Sequence, residues 1–284
     1  MLSIVVQRWL MQPLSRRVKN VVKKVRSLAI VRSGVQSSST QSSSLHKADR
    51  PNSPSRTFFI TGANRGIGLA LTQQLLQRGH QVIASVRAQE HIPALEASVS
   101  APLREHLQVI ECDLANHASI QQTTTRLTGQ AIDCLIHNGV VGPERQSLEQ
   151  LDMKNVETAF KVNSIAPLSL TQALLPNLRA GNSKKIVAIS SDLASAGRPN
   201  PCLLYAYQAS KAALNQVVIL LAKEWQYDGF TCFAIHPGSV NTRLNPSGHI
   251  TPDQSAIGMI DYIEQATPDD NGQWVDVDNQ PVPW

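Results

Sequence analysis

The segment Thr57-Phe-Phe-Ile-Thr61-Gly-Ala-Asn-Arg-Gly-Ile-Gly68 is a short run of β-favouring residues that breaks into a glycine turn. An apolar helical pattern follows at Ile67, Leu69, Leu71, Leu75 and Leu76 and stops at Gly79. Strand, glycine turn and helix in that order make a phosphate-binding loop. Gly62 allows the tight turn, and Gly66 removes a Cβ where backbone must approach a pyrophosphate. Gly68 lets helix and strand pack closely, with the helix N-terminus facing the anion. The spacing is G-x-x-x-G-x-G rather than G-x-G-x-x-G, so the rest of the chain has to bear the reading out.

Working outward, Gln81-Val-Ile-Ala-Ser-Val86 reads as a second strand. An acidic residue at its end, ~20 residues beyond the glycines, would bond the ribose 2′-hydroxyl of NAD. This chain has Arg87 there, and with Arg65 from the glycine loop it would fork onto a 2′-phosphate, which points to NADP(H). Further strands are read at Leu107–Cys112, Ala131–His137, Lys185–Ser190, Phe230–His236 and Gln273–Val277. Helical patterns lie between them, among them Val156 to Leu178. Strands alternating with helices predict an α/β fold: one doubly wound Rossmann domain, with a seven-stranded, mostly parallel sheet and helices on both faces. Ligands on such a sheet bind at the carboxyl ends of the strands, where Gly62 to Gly68, Asp113, Asn138, Ser190, Ser191 and Pro237 fall.

A second motif lies in Tyr205-Ala-Tyr-Gln-Ala-Ser-Lys211. Leu203, Ala206, Ala213, Leu214, Val217, Val218 and Leu221 form one apolar helical face, so Tyr207 and Lys211, at i and i+4, project together. A phenol titrates near ~10, and an ammonium beside it favours the phenolate, which is how a tyrosine is made into a general acid/base. The plain structural alternative is a lysine snorkelling from a packed helix.

The chain has 284 residues, 42% of them apolar, enough for a sizeable core. Residues 1–48 hold nine of the 26 Lys+Arg and no acidic residue, so the remainder, with 17 basic against 21 acidic residues, carries −4. The basic balance belongs to the amino-terminal arm and gives no ground for nucleic-acid binding. That arm is amphipathic from Val18 to Ala29 and runs into a serine-rich tract, Ser37 to Ser44. Residues 1–55 are therefore read as a transit peptide and linker, with the domain at 56–284. Mitochondrial import is the expectation; chloroplast import, or an arm retained on an anionic membrane surface, is the alternative. Cys112, Cys134, Cys202 and Cys232 form no C-x-x-C and read as thiols in a reducing compartment, with no metal site. No apolar run reaches the ~18–20 residues of a membrane span.

These motifs together resemble the short-chain dehydrogenase/reductases over essentially all of residues 56–284. Thr61 to Gly68 is similar to that family's T-G-x-x-x-G-x-G, Tyr207 to Lys211 to its Y-x-x-x-K, and Pro237-Gly238 with Thr242 to its P-G-x-x-x-T. Asn163 matches its helix-four Asn and Ser190-Ser191 its catalytic-strand serine. Tyr205 to Asn215, His236 to Thr242 and Pro281-Val-Pro-Trp284 resemble the C-factor-like carbonyl reductases in particular. Two departures stand out: N-N-A-G appears as His137-Asn-Gly-Val140, and Ser191 lies 16 residues before Tyr207, the extra length falling around Arg198-Pro-Asn-Pro201.

The resemblance implies hydride transfer between a nicotinamide and a small carbonyl/alcohol substrate, with NADP(H) as cofactor. Tyr207 would exchange the proton, Lys211 would lower the Tyr207 pKa and hold the nicotinamide ribose, Ser191 would hold the substrate oxygen, and Asn163 would fix a water beside Lys211. Gly62, Asn64, Arg65, Gly66, Ile67, Gly68, Arg87, Asp113, Asn138, Tyr207, Lys211, Pro237, Gly238, Val240 and Thr242 would bind cofactor. The resemblance also implies a homodimer or homotetramer paired through the helices of Asn163 and Tyr207. The rival class is a dinucleotide-binding sensor of C-factor type. No residue names the substrate, and the short segment Arg243–Thr251 suggests an open site.

Overall fold

The computed structural model describes residues 54–199 and 201–284; the amino-terminal arm, and with it the transit-peptide expectation, lies outside the described residues. The chain runs β1 (Thr57–Ile60), α1 (Gly66–Gln77), β2 (Gln81–Val86), α2 (Ile92–Ala97), β3 (Leu107–Glu111), α3 (His117–Arg126) and β4 (Cys134–His137). It continues through α4 (Met153–Phe160), α5 (Ala166–Ala173), α6 (Leu175–Ala180), β5 (Lys185–Ile189), α7 (Tyr205–Glu224), β6 (Thr231–His236), α8 (Pro252–Gln265) and β7 (Trp274–Asp276). The seven strands form one sheet in the order β3-β2-β1-β4-β5-β6-β7. Every pairing is parallel, including β7, so the sheet is entirely rather than mostly parallel.

Both faces of this sheet are covered, which is why its strands read as unbroken apolar runs. Successive side chains alternate faces. Phe58 and Ile60 join Leu71, Leu75, Met259 and Ile263 under α1 and α8, while Phe59 joins Leu135, Ile186, Leu170, Leu178 and Leu221 under α5, α6 and α7. The strand order reverses between β1 and β4, and the crevice opens there, at the carboxyl ends.

Three expectations are corrected. The fourth strand begins at Cys134 rather than Ala131, because Ile132 and Asp133 are drawn into other bonds: Ile132 N–H reaches Asn177 O and Asp133 N–H reaches Thr57 O. Leu203 is not on the catalytic helix. Its φ of 73° is left-handed, and the helix starts two residues later. The helix read across Val156–Leu178 is broken by a π turn at Lys161–Ile165. Pro167 has no N–H to give to the carbonyl four residues back, that of Asn163, so the α ladder cannot pass that point undisturbed.

Asp133 sets the base of the sheet. Its Oδ2 accepts from Thr57 N–H at 2.8 Å, and its Oδ1 from Asn182 N–H at 2.7 Å and Ser183 N–H at 3.2 Å. The carboxylate thus ties together the starts of β1 and β4 and the approach to β5. Asp133→Asn turns an amide NH₂ toward backbone N–H groups. The expected cost is about 1–3 kcal/mol, measured as a lowered urea midpoint with unchanged m.

Candidate active site

The glycine loop forms one lip of the cleft. Gly62 and Gly66 hold φ of 66° and 53°, which a side chain would strain. A Cβ on Gly68 would fall 2.2 Å from Gly62 O, and one on Gly62 would fall 2.9 Å from Gly139 Cα. Thr61 and Asn138 hold the other lip. Thr61 Oγ1 accepts from Asn138 N–H and Gly139 N–H at 2.9 Å each, and Asn138 Nδ2 donates to Thr61 O at 2.9 Å and Gly62 O at 3.1 Å. Arg65 caps α1 with backbone only, leaving the N-terminus of that helix open toward the cleft.

The cleft holds about 300 Å³ and is lined by Gly62, Asn64, Arg65, Gly66, Ile67, Gly68, Arg87, Asp113, Asn138 and Thr242, all expected from the sequence. Sequence reasoning missed Gly139, His91 and Arg243, which also line it. Gly139 stands where the N-A-G pattern fails, and only the fold, which brings it against Gly62, reveals it. Leu244 also lines the cleft and packs on Gly142: a Cβ on Gly142 would lie 2.6 Å from Leu244 Cδ2. Glycine backbone, an uncapped helix N-terminus and Arg65, Arg87 and Arg243 on one cavity fit a dinucleotide with a phosphorylated ribose.

Pro237, Gly238 and Val240 line the base of the Arg243–Thr251 segment instead of the cleft. Pro237 O accepts from Ser255 Oγ at 2.7 Å, Gly238 has a φ of 78° beside Ile250, and Val240 bridges to Ile250. Thr242 is the member of this motif that reaches the glycine loop: a Cβ on Gly66 would lie 3.4 Å from its Cγ2.

Ser190, Ser191, Tyr207 and Lys211 gather beyond β5, outside the residues that line the cleft. Ser190 Oγ donates to Asn215 Oδ1 at 2.6 Å and is spent, which leaves Ser191 as the serine hydrogen-bonded to Tyr207. The expectation that Lys211 lowers the Tyr207 pKa is corrected: Lys211 is not among the groups that shift the phenol, which is raised. Lys211 Nζ donates to Ile189 O at 2.6 Å. Burial pushes the Tyr207 phenol up to about 12, opposed by the Ser191 hydrogen bond and reinforced by the Asp192 charge. Burial also brings the Lys211 ammonium down to about 7.

His137, the residue of unknown role in the departed motif, is a buried neutral imidazole. Its Nε2 pairs with Thr171 Oγ1 at 2.8 Å, and burial, then the Lys211 charge, pushes it down to about 3. Asn163 is also reassigned. Its Oδ1 accepts from Val141 N–H at 2.8 Å, and its Nδ2 donates to Val141 O and Ser210 Oγ at 3.0 Å each. Both amide protons are used, so the side chain clamps the β4 loop to α7. Ser210, next to Lys211, went unread; its hydroxyl accepts from Asn163 and donates to Tyr207 O at 2.9 Å.

A parallel doubly wound sheet with a glycine- and arginine-lined cleft where the strand order reverses, and with Ser191, Tyr207 and Lys211 beyond β5, is the arrangement of a class of cofactor-dependent enzymes. The short chain dehydrogenase family model matches residues 56–251, and the chain belongs to that family of oxidoreductases. It is similar to the short-chain dehydrogenase srdF of Neurospora crassa, 31% identical over 81% of this chain and 98% of that protein. The C-signal of Myxococcus xanthus is 31% identical over 54% of this chain and 93% of its own length. Among solved structures, the NADPH-bound carbonyl reductase from chicken fatty liver superposes with a TM-score of 0.74 at 28% identity, covering 81% of this chain and 99% of that one.

The Lys211 shift has a signed consequence. The folded state disfavours the ammonium, so the unfolded chain binds more protons between about 7 and the free-lysine value of about 10.4, and stability rises with pH across that window. Lys211→Met is expected to gain most in melting temperature over the parent below pH 7, with the gain fading toward pH 10; thermal melts of both proteins at the two ends check it.

Proposed function

We propose that the protein is an NADP(H)-dependent carbonyl reductase that interconverts a carbonyl compound and its alcohol, with Tyr207 as general acid/base. The observation that carries this is the Tyr207–Ser191 hydroxyl pair beyond the carboxyl end of β5, on the same sheet as a cleft with Arg65 and Arg87 on its wall. Similarity to an NADPH-bound carbonyl reductase supports the same cofactor. The nicotinamide, when bound, supplies or accepts the hydride.

The chain's own residues do the rest. A phenol held protonated by burial is in the state needed to give a proton to the oxygen of a carbonyl undergoing reduction. Ser191 bonds the same oxygen and keeps it within reach of Tyr207. Lys211, held by Ile189 O, stands one helical turn from Tyr207 and supplies positive charge when a ribose hydroxyl links the two. With its amide spent, Asn163 serves that end through its backbone carbonyl, which Pro167 deprives of an α-helical donor. Arg65 and Arg87 take the 2′-phosphate, and Asp113 and Asn138 flank the adenosine side.

The exposed apolar side chains Ile165 and Leu168 near α5, and Tyr205 and Leu220 on α7, support pairing of two copies through these helices. Among the described residues no helix is long and apolar enough to cross a membrane. For residues 1–55 we propose mitochondrial import, with chloroplast import as the alternative. A fusion of that segment to a fluorescent protein is expected to enter the organelle, and a diffuse cytosolic signal removes the proposal. Similarity to the C-signal favours a second reading, a dinucleotide-binding signalling protein. Tight NADPH binding with no turnover across aldehydes, quinones, diketones and ketosteroids would favour it.

Tyr207→Phe is expected to abolish NADPH oxidation with such a carbonyl panel while leaving NADPH binding within a few fold. Retained turnover overturns the assignment. Arg87→Asp is expected to raise the Kd for NADPH by about 10–100-fold, as loss of a charge-assisted bond of about 1.5–3 kcal/mol implies, with NADH little affected. An unchanged preference between the two dinucleotides removes the cofactor argument.

A further inference from the structure

Ser191 is the last residue before a 3₁₀ turn, Asp192–Ala194, that packs against α7. Its hydroxyl accepts from Leu193 N–H at 3.3 Å, capping the turn, donates to Asp192 Oδ1 at 3.4 Å, and pairs with Tyr207. The turn closes with Ala194 N–H to Ser191 O at 2.8 Å and Ser195 N–H to Asp192 O at 3.0 Å. A displacement of the turn therefore carries the Ser191 oxygen with it. What holds the turn decides where that oxygen sits relative to Tyr207.

Among the described contacts besides α7, it is held from two sides. On one side, Asp192 N–H donates to His236 Nδ1 at 3.2 Å, at the end of β6. On the other side stands the segment beyond β7. Asp276 Oδ1 accepts from Asp278 N–H at 3.0 Å and Gln280 N–H at 2.9 Å, and Asn279 takes a left-handed φ of 60°. The chain thereby doubles back, and Val282 N–H bonds Trp274 O at 2.8 Å. Val282 is buried against Ala194, Ala234 and Trp274. Ser195 Oγ donates to Pro283 O at 2.6 Å, a Cβ on Gly197 would lie 3.6 Å from Pro283 Cβ, and the Trp284 ring lies 5.2 Å from Trp274.

We infer that Pro281–Trp284 is a positioning segment for the reaction: it clamps the Ser191–Gly197 turn and thereby sets the Ser191 hydroxyl against Tyr207. The segment touches neither the dinucleotide cleft nor the Tyr207 helix through any of these contacts, so its effect belongs to the substrate side. The kinetic part of this inference rests on the reductase reading; the structural part does not.

The test uses the full chain, a Ser195→Ala variant that removes one bond, and a truncation lacking residues 282–284. Amide hydrogen exchange at Leu193, Ala194 and Ser195 is expected to speed up about tenfold in the truncation and less in Ser195→Ala, as loss of roughly one hydrogen bond implies, while β5 amides Ile186–Ile189 keep their rates. With a carbonyl substrate, kcat is expected to fall about tenfold in the truncation, within the range a small misplacement of a reacting group produces, with the Kd for NADPH unchanged. Unchanged turn exchange in a folded variant, or acceleration spread evenly over the sheet, overturns the inference. Fast turn exchange with full kcat overturns its kinetic part. If the truncation does not fold, Ser195→Ala decides by the same readouts. If the parent chain turns over no carbonyl compound, the reductase reading fails and the exchange pattern still decides whether the segment clamps the turn.

Discussion

The closest backbone approach at the active site lies where the strand order reverses. Gly62, Gly68 and Gly139 come so near one another that a single methyl group on any of them would collide with backbone or with a neighbouring side chain. Thr61 and Asn138 fasten this contact with four hydrogen bonds between the ends of β1 and β4. The two central strands end in loops whose glycines allow close approach and whose Thr61 and Asn138 side chains bind them together. The Arg65, Arg87 and Arg243 side chains can then reach one cavity from three separate loops.

Beyond that junction the site is governed by burial. Lys211, Tyr207 and His137 all titrate away from their ordinary values, and in each the leading cause is loss of water. The outcome is a neutral imidazole, a protonated phenol and a lysine easily brought to its neutral form. Such a set favours the acid form of Tyr207. The sequence-based expectation had Lys211 acting on the phenol directly, through helical spacing. Spacing brings the two residues to one side of α7, but the nearest acceptor for the ammonium is Ile189 O on the neighbouring strand.

Much of the site was legible in the chain. The glycine loop, Arg87 in place of an acid, and the ends of the strands all appear where local pattern put them, because each depends on residues adjacent in sequence. The sequence favoured Ser191 over Ser190, and in the fold Asn215 takes the Ser190 proton. Asn163 was expected from its motif to fix a water beside Lys211; its side-chain amide is held by Val141 and Ser210. Gly139 and Arg243 were not found, since nothing in their local surroundings marks them.

The sequence by itself determined the order of strands and helices, the phosphate-binding turn, the i,i+4 placement of Tyr207 and Lys211, and the charge at the end of β2. These follow from side-chain periodicity and backbone freedom, which act over a few residues. Only the tertiary structure decided that the sheet is wholly parallel, that Thr61 clamps a loop 77 residues away, that Ser191 is tied to a turn held from Pro283, and that Lys211 meets a strand carbonyl. Hydrogen-bond partners and desolvation are set by whichever segments packing brings together, and those lie far apart in the chain.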